Sequence, residues 1–343
     1  MRTLADLRAS LVAVALVALS SSPAMHAAPT SAKYYEFHNN FWMNLHHTLF
    51  REMVAGKMDE QAKKRIGLVP LPDAGLSDQE KQVWSGVIQH YSETFAGRRL
   101  LFDDQLVTIN NLLGRQQDAQ NLDSGGLPED FVKCLERAAP VYRNHWWPDH
   151  QKANERFIAE MQPKVDGFGP VVIPQLEHFF GMKWPPEPLL VDVTYYVAEI
   201  GSAYTTEDPG HTTIASSRED NHGLPGLETL FHEGAHTLTD KMASALWNEC
   251  KRQKKNCGDL WHAVQFYTVG LVVKRALAER GTPGYVPYAD RFGLYERGDW
   301  PKFRPALERD WQPYLDGKST FDEAVANLVR DIAVAAANPP ASP

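Results

Sequence analysis

Three prolines in five residues, Trp184-Pro-Pro-Glu-Pro188, constrain this chain more than any other stretch. Proline fixes φ and lacks an N–H, so the stretch fits neither a helix interior nor a central strand. The texture of the sequence changes across it. Before it, the spacing predicts a helix over residues 34–56, with Phe41, Trp42, Leu45 and Leu49 at its apolar positions. A Ser77-Asp-Gln-Glu80 capping box opens a second helix reaching about residue 95. Helices are also expected over 102–120 and over 129–161, the latter interrupted near Pro140 and Pro148. After the break, residues 189–197 are rich in β-branched and aromatic side chains and read as a strand, and residues 211–216 as a shorter one. Gly223, Pro225 and Gly226 then punctuate the chain before another helix. The expected class is α+β, mainly helical: a helical region over 29–183, a region over 184–337 with a small sheet and further helices, and a flexible tail over 338–343.

Composition narrows the classes. With 343 residues, 43% hydrophobic and 23% charged, the chain is globular rather than disordered. A net charge of −8 argues against nucleic acid as a partner. Arg2 and Arg8 precede the apolar run Leu11-Val-Ala-Val-Ala-Leu-Val-Ala-Leu19, and small residues follow to Ala28. That order is expected of a secretory signal peptide over residues 1–28, and the apolar run is well short of the ~20 residues a membrane span needs. No later segment is apolar and long enough to span, so the mature chain is expected to be exported, periplasmic or secreted. In an oxidising compartment Cys250 and Cys257 either close a small loop, leaving Cys134 free, or all three stay unpaired.

The chemistry concentrates in His232-Glu-Gly-Ala-His236. On a helix, positions i and i+4 share a face, so two imidazoles can grip one Zn²⁺ while the Glu between them takes a proton from water activated there. Helix phase sorts the neighbourhood. At ~100° per residue, Leu227, Leu230, Phe231, Gly234, Leu238 and Met242 fall on one side, and Thr229, His232, Glu233, His236 and Asp240 on the other. One stripe can enter a core while the other faces a cleft. Gly234 and Ala235 are small enough for close packing beside the site.

This segment resembles the zincin metallopeptidases over about residues 189–280. The resemblance implies one Zn²⁺ per chain, His232 and His236 as ligands, Glu233 as general base, a peptide or protein substrate, and an edge strand above the metal, expected at 211–216. A zinc-binding protein without peptidase activity is the alternative. A catalytic zinc has three protein ligands plus water. The elongated motif with a third His close behind is absent, and the gluzincin pattern, with a Glu on a later helix, would use Glu249 or Glu279. His262 is the preferred third ligand. Residues 260–273 are apolar all round and predict a buried helix, and a buried imidazole needs a partner. Asp240 either orients a ligand imidazole or faces solvent. Tyr267, Tyr285, Tyr288, Tyr295, His211 and His222 are candidates to stabilise an oxyanion. His46-His47 and the Trp146-Trp147-Pro-Asp-His150 cluster read as core or cleft wall.

Overall fold

The fold was obtained as a computed structural model and describes residues 33–65, 68, 71–72, 75–116, 121–122, 125–197, 202–207 and 210–332. The expected signal peptide, the tail and residues 117–120 of an expected helix lie outside the described residues.

The first expected helix begins later than its aromatic spacing suggests. Asn40 Oδ1 accepts from the backbone N–H groups of Trp42 and Met43 at 2.9 and 3.1 Å, capping α1 (Phe41–Gly56). A side-chain cap of this type ends extended backbone and starts helix. Residues Tyr35–His38 ahead of it are therefore a strand, β1, not the start of a helix. After α2 (Glu60–Arg65), the Ser77–Glu80 capping box forms as expected at the start of α3 (Asp78–Phe95). Then come α4 (Asp104–Gly114), α5 (Glu129–His145) and α6 (Trp147–Phe180).

Prolines break this region less than expected. Pro140 lies within α5, and α6 runs on through Pro163, Pro170 and Pro174 well past residue 161. Its stripe of Phe157, Met161, Val165, Val172, Leu176 and Phe180 is almost fully buried. Burying such a stripe offsets the ~3 kcal/mol that an interior proline costs. Gly181 (φ 67°) ends α6 in the left-handed region that favours glycine.

The chain then enters β2 (Leu189–Thr194), β3 (Ala203–Glu207) and β4 (Gly210–Ala215). The sheet order is β1-β2-β4-β3, with β1 and β4 parallel to β2 and β3 antiparallel to β4. This corrects one expectation: the segment at 211–216 is an internal strand, and β3, unread in the sequence, is the edge beside it. The remainder is helical: α7 (Gly223–Ala235), a 3₁₀ turn His236–Leu238, α8 (Asp240–Arg252), α9 (Leu260–Glu279), α10 (Tyr288–Arg291), α11 (Arg304–Ala306), α12 (Gln312–Leu315) and α13 (Phe321–Asp331). The class is thus α+β and mainly helical.

Two apolar cores hold this together. One gathers α1, α3, α4 and α5 around Trp42, Phe50, Tyr91 and Phe95. The other joins β1, α6, the sheet and the helices from α7 onward around Tyr35, Phe231 and Trp311. Cys250 and Cys257 form a disulfide in the second core, and Cys134 is free and buried in the first. Among the described residues, no helix is long and apolar enough to cross a membrane.

Candidate metal centre

Helix α7 divides as its phase predicts. Leu227, Leu230 and Phe231 are fully buried, while Thr229, His232, Glu233 and His236 line a cleft of about 1410 Å³. Beyond the helix Leu238 and Met242 are still fully buried as predicted, but the cleft-facing set ends. The 3₁₀ turn at His236–Leu238 follows, and Asp240 opens α8 as an exposed residue. Gly234 is required by a close approach: a Cβ there would lie 2.2 Å from Trp184 Cη2 and 2.7 Å from the Tyr35 hydroxyl. The proline-rich break thus delivers Trp184 onto the back of the motif helix, and Tyr35 donates its hydroxyl to Leu230 O on the same helix at 3.0 Å.

His262 joins the two motif histidines. It sits in the first turn of α9, which packs against α7, and its Nε2 lies 3.2 Å from His232 Nε2. The ligand atoms of His232, His236 and His262 all lie within 4.8 Å of one another. Glu249 is instead held by Arg252 and Gln253, and Glu279 is exposed at the far end of α9.

The electrostatics favour neutral rings. Burial, then the charges of His236 and His262, hold His232 well below the usual imidazole range. Burial and His262 lower His236 to about 3. Neutral imidazoles present lone pairs, as a metal requires. A tetrahedral ion with metal–nitrogen distances of about 2.0–2.1 Å spaces its donors about 3.3 Å apart, which the 3.2 Å separation matches. The three histidines can therefore hold a metal ion.

Several residues around the cluster had no separate signal in the sequence. Phe266 stacks on His232 with centroids 3.7 Å apart, Trp261 stacks on His262 at 5.0 Å, and Trp300 meets His262 edge-on at 5.7 Å. Asp259, three residues before His262, places Oδ2 3.5 Å from its Nδ1 and accepts from Trp300 Nε1 at 3.3 Å. Asp240 faces solvent, and Asp259 is the carboxylate that faces the His262 ring. Glu233 is 6% exposed, and burial pushes its carboxyl up to about 7 against the opposing hydrogen bond from Thr205. The helical region contributes Arg99, Leu101, Phe102 and Val107 to the cleft wall.

Of the six residues considered for an oxyanion, Tyr288 lines the cleft, with its hydroxyl donating to Asp220 Oδ2 at 3.0 Å. The other five serve the scaffold. Tyr267 donates to Gln312, Tyr285 to Glu228 and Tyr295 to the Ala263 carbonyl. His211 is buried against Asp192, and His222 bridges Glu160 and the Ser216 carbonyl at the start of α7. Comparison with protein families, with curated proteins and with solved structures finds no match to this chain.

Proposed function

We propose that this chain is a zinc-dependent metallopeptidase of the zincin type that acts outside the cytoplasm. The observation that carries the reading is the convergence of three imidazoles, two of them held neutral by burial, beside a carboxylate in a cleft of about 1410 Å³. His232, His236 and His262 would hold the ion. A zinc ion supplies Lewis acidity there, polarising a carbonyl and making water a stronger acid. The remaining work falls to the chain. Glu233 accepts the proton from the attacking water and returns it to the leaving amine as the C–N bond breaks. Phe266, Trp261 and Trp300 fix the rings of His232 and His262 and keep one side of the site apolar. Edge strand β3 flanks the cleft, where an extended peptide would lie alongside it as an added strand. The Cys250–Cys257 disulfide supports an oxidising destination for the chain.

The test joins metal analysis to cleavage of a peptide library. Purified protein should carry about one zinc per chain, and Glu233→Gln should keep that zinc while losing cleavage by about 10²–10⁴-fold. Undiminished cleavage by Glu233→Gln would remove Glu233 as the base. Zinc retained with no cleavage by the unaltered protein would leave a metal-binding protein that is not a peptidase.

A further inference from the structure

The Glu233 carboxylate is held by the sheet and not by its own helix. Thr205 Oγ1, on β3, donates to Glu233 Oε2 at 2.9 Å. The hydroxyl of Thr212, on β4, lies 2.8 Å from the same Thr205 Oγ1. These two threonines are direct cross-strand partners in the antiparallel ladder, and side chains at paired positions share a face of the sheet. A hydroxyl has one proton to give and two lone pairs. With the Thr205 proton committed to the carboxylate, Thr212 completes the set by donating to Thr205. Both threonines are buried, at 5% and 0% exposure, so water does not readily replace either link. Among the described residues, Thr205 is the one side chain hydrogen-bonded to Glu233.

A carboxylate at the end of three rotatable bonds needs such a tether. A free Glu side chain samples several rotamers, and an acid–base group acts within about 2.6–3.2 Å of the proton it moves. Resting on the peptidase reading above, we propose that Thr205 is a positioning residue for the general base. Its hydroxyl occupies Oε2 and fixes the carboxylate plane, so that Oε1 exchanges the proton with water and the leaving amine. Thr212 in turn sets the direction of the Thr205 hydroxyl. The arrangement also ties the base to the substrate. β3 is the edge strand, and Ser202, Ala203, Tyr204, Thr205 and Thr206 line the cleft. A peptide seated there touches the strand that sets the base.

Thr205→Val keeps the shape and removes the hydroxyl, whereas Thr205→Ser keeps the hydroxyl. On a peptide cleaved by the unaltered protein, Thr205→Val should lower kcat about 10–100-fold. KM should stay within about 2-fold and the zinc content should be unchanged, because the loss falls on the transition state rather than on uniform binding. Thr205→Ser should recover kcat to within about 3-fold of the original. The double variant Thr205→Val/Glu233→Gln should be no slower than Glu233→Gln alone, since residues acting through one group are not additive. Normal kcat in Thr205→Val, failure of Thr205→Ser to rescue, loss of zinc from Thr205→Val, or multiplicative losses in the double variant would each overturn the proposal. The two levels separate cleanly. A dead Glu233→Gln beside a fully active Thr205→Val removes only the positioning role, whereas an active Glu233→Gln removes the base and its tether together.

Discussion

The protein contains two groups of three histidines, and they differ in what surrounds each ring nitrogen. His46, His47 and His211 lie where the helical core meets the sheet, each at most 2% exposed. Each ring has at least one nitrogen matched to a protein partner. His46 Nδ1 meets the Tyr91 hydroxyl at 2.9 Å, and His47 Nε2 meets the Tyr204 hydroxyl at 3.1 Å. His211 bridges Asp192 Oδ2 at 2.8 Å and Asn111 Oδ1 at 3.2 Å. In the other group, His232 and His262 turn Nε2 atoms toward each other without a tyrosine or carboxylate between them, and the group lines a cleft. Burial lowers His46 to about 3 just as it lowers His236, so depressed basicity does not distinguish the groups. Convergence of the ring nitrogens on one open point does. A histidine cluster is a candidate metal site when its nitrogens meet each other rather than the scaffold.

Substitutions can break that contrast. The largest effect is expected from His262→Ala. Zinc content should fall from about one ion per chain to near zero, measured by elemental analysis of folded protein. His211→Ala should do the reverse. It leaves the fully buried Asp192 side chain without its imidazole partner, a loss of about 1–3 kcal/mol, read by denaturant unfolding, while zinc content per folded chain stays the same. Gly234→Ala sharpens the link between scaffold and site. The added methyl group meets Trp184 and the Tyr35 hydroxyl, and overpacking of this kind costs about 1–3 kcal/mol. It should lower the melting temperature and weaken zinc retention against a chelator.

The smallest effect concerns Glu228, one helical turn before His232. Burial raises its carboxyl from 4.5 to about 7, Asp290 adds to the rise, and hydrogen bonds from Tyr285 Oη and the Tyr288 N–H oppose it. The fold therefore holds a proton that the unfolded chain releases above about pH 4.5. This contribution to stability is complete below pH 4.5 and fades as pH rises to 7. The melting temperature should decline across that window, and Glu228→Gln should flatten the decline by a few degrees, at about 1.5 °C per kcal/mol for a chain of this size.

Local patterns made the motif helix legible. His232, Glu233 and His236 share a face because the period of the helix puts them there, and the apolar stripe behind them buries as the same period requires. His262 was legible as a polar residue in an apolar helix. What the sequence hid depends on distant partners. β1 has four residues next to an aromatic-rich helix, and its pairing partner lies across the entire helical region. Only the Asn40 cap betrays the boundary locally. β3, Ala203-Tyr-Thr-Thr-Glu207, is short, and its role comes from its place at the edge of the sheet. Thr205 and Asp259 are ordinary polar residues until folding sets them beside Glu233 and His262.

The pairing of Tyr35–His38 with Leu189–Thr194 has a consequence for how the chain is made. About 150 residues separate the partners, so at ~5–20 residues per second the first strand waits roughly ten to thirty seconds of ribosomal synthesis for the second. The local contacts of the intervening helices can condense in that interval, and the parallel pairing closes late. Until then β2 has an open flank of the kind that recruits other chains. Removing the first strand would make that flank permanent, and clumping during production would be the first sign.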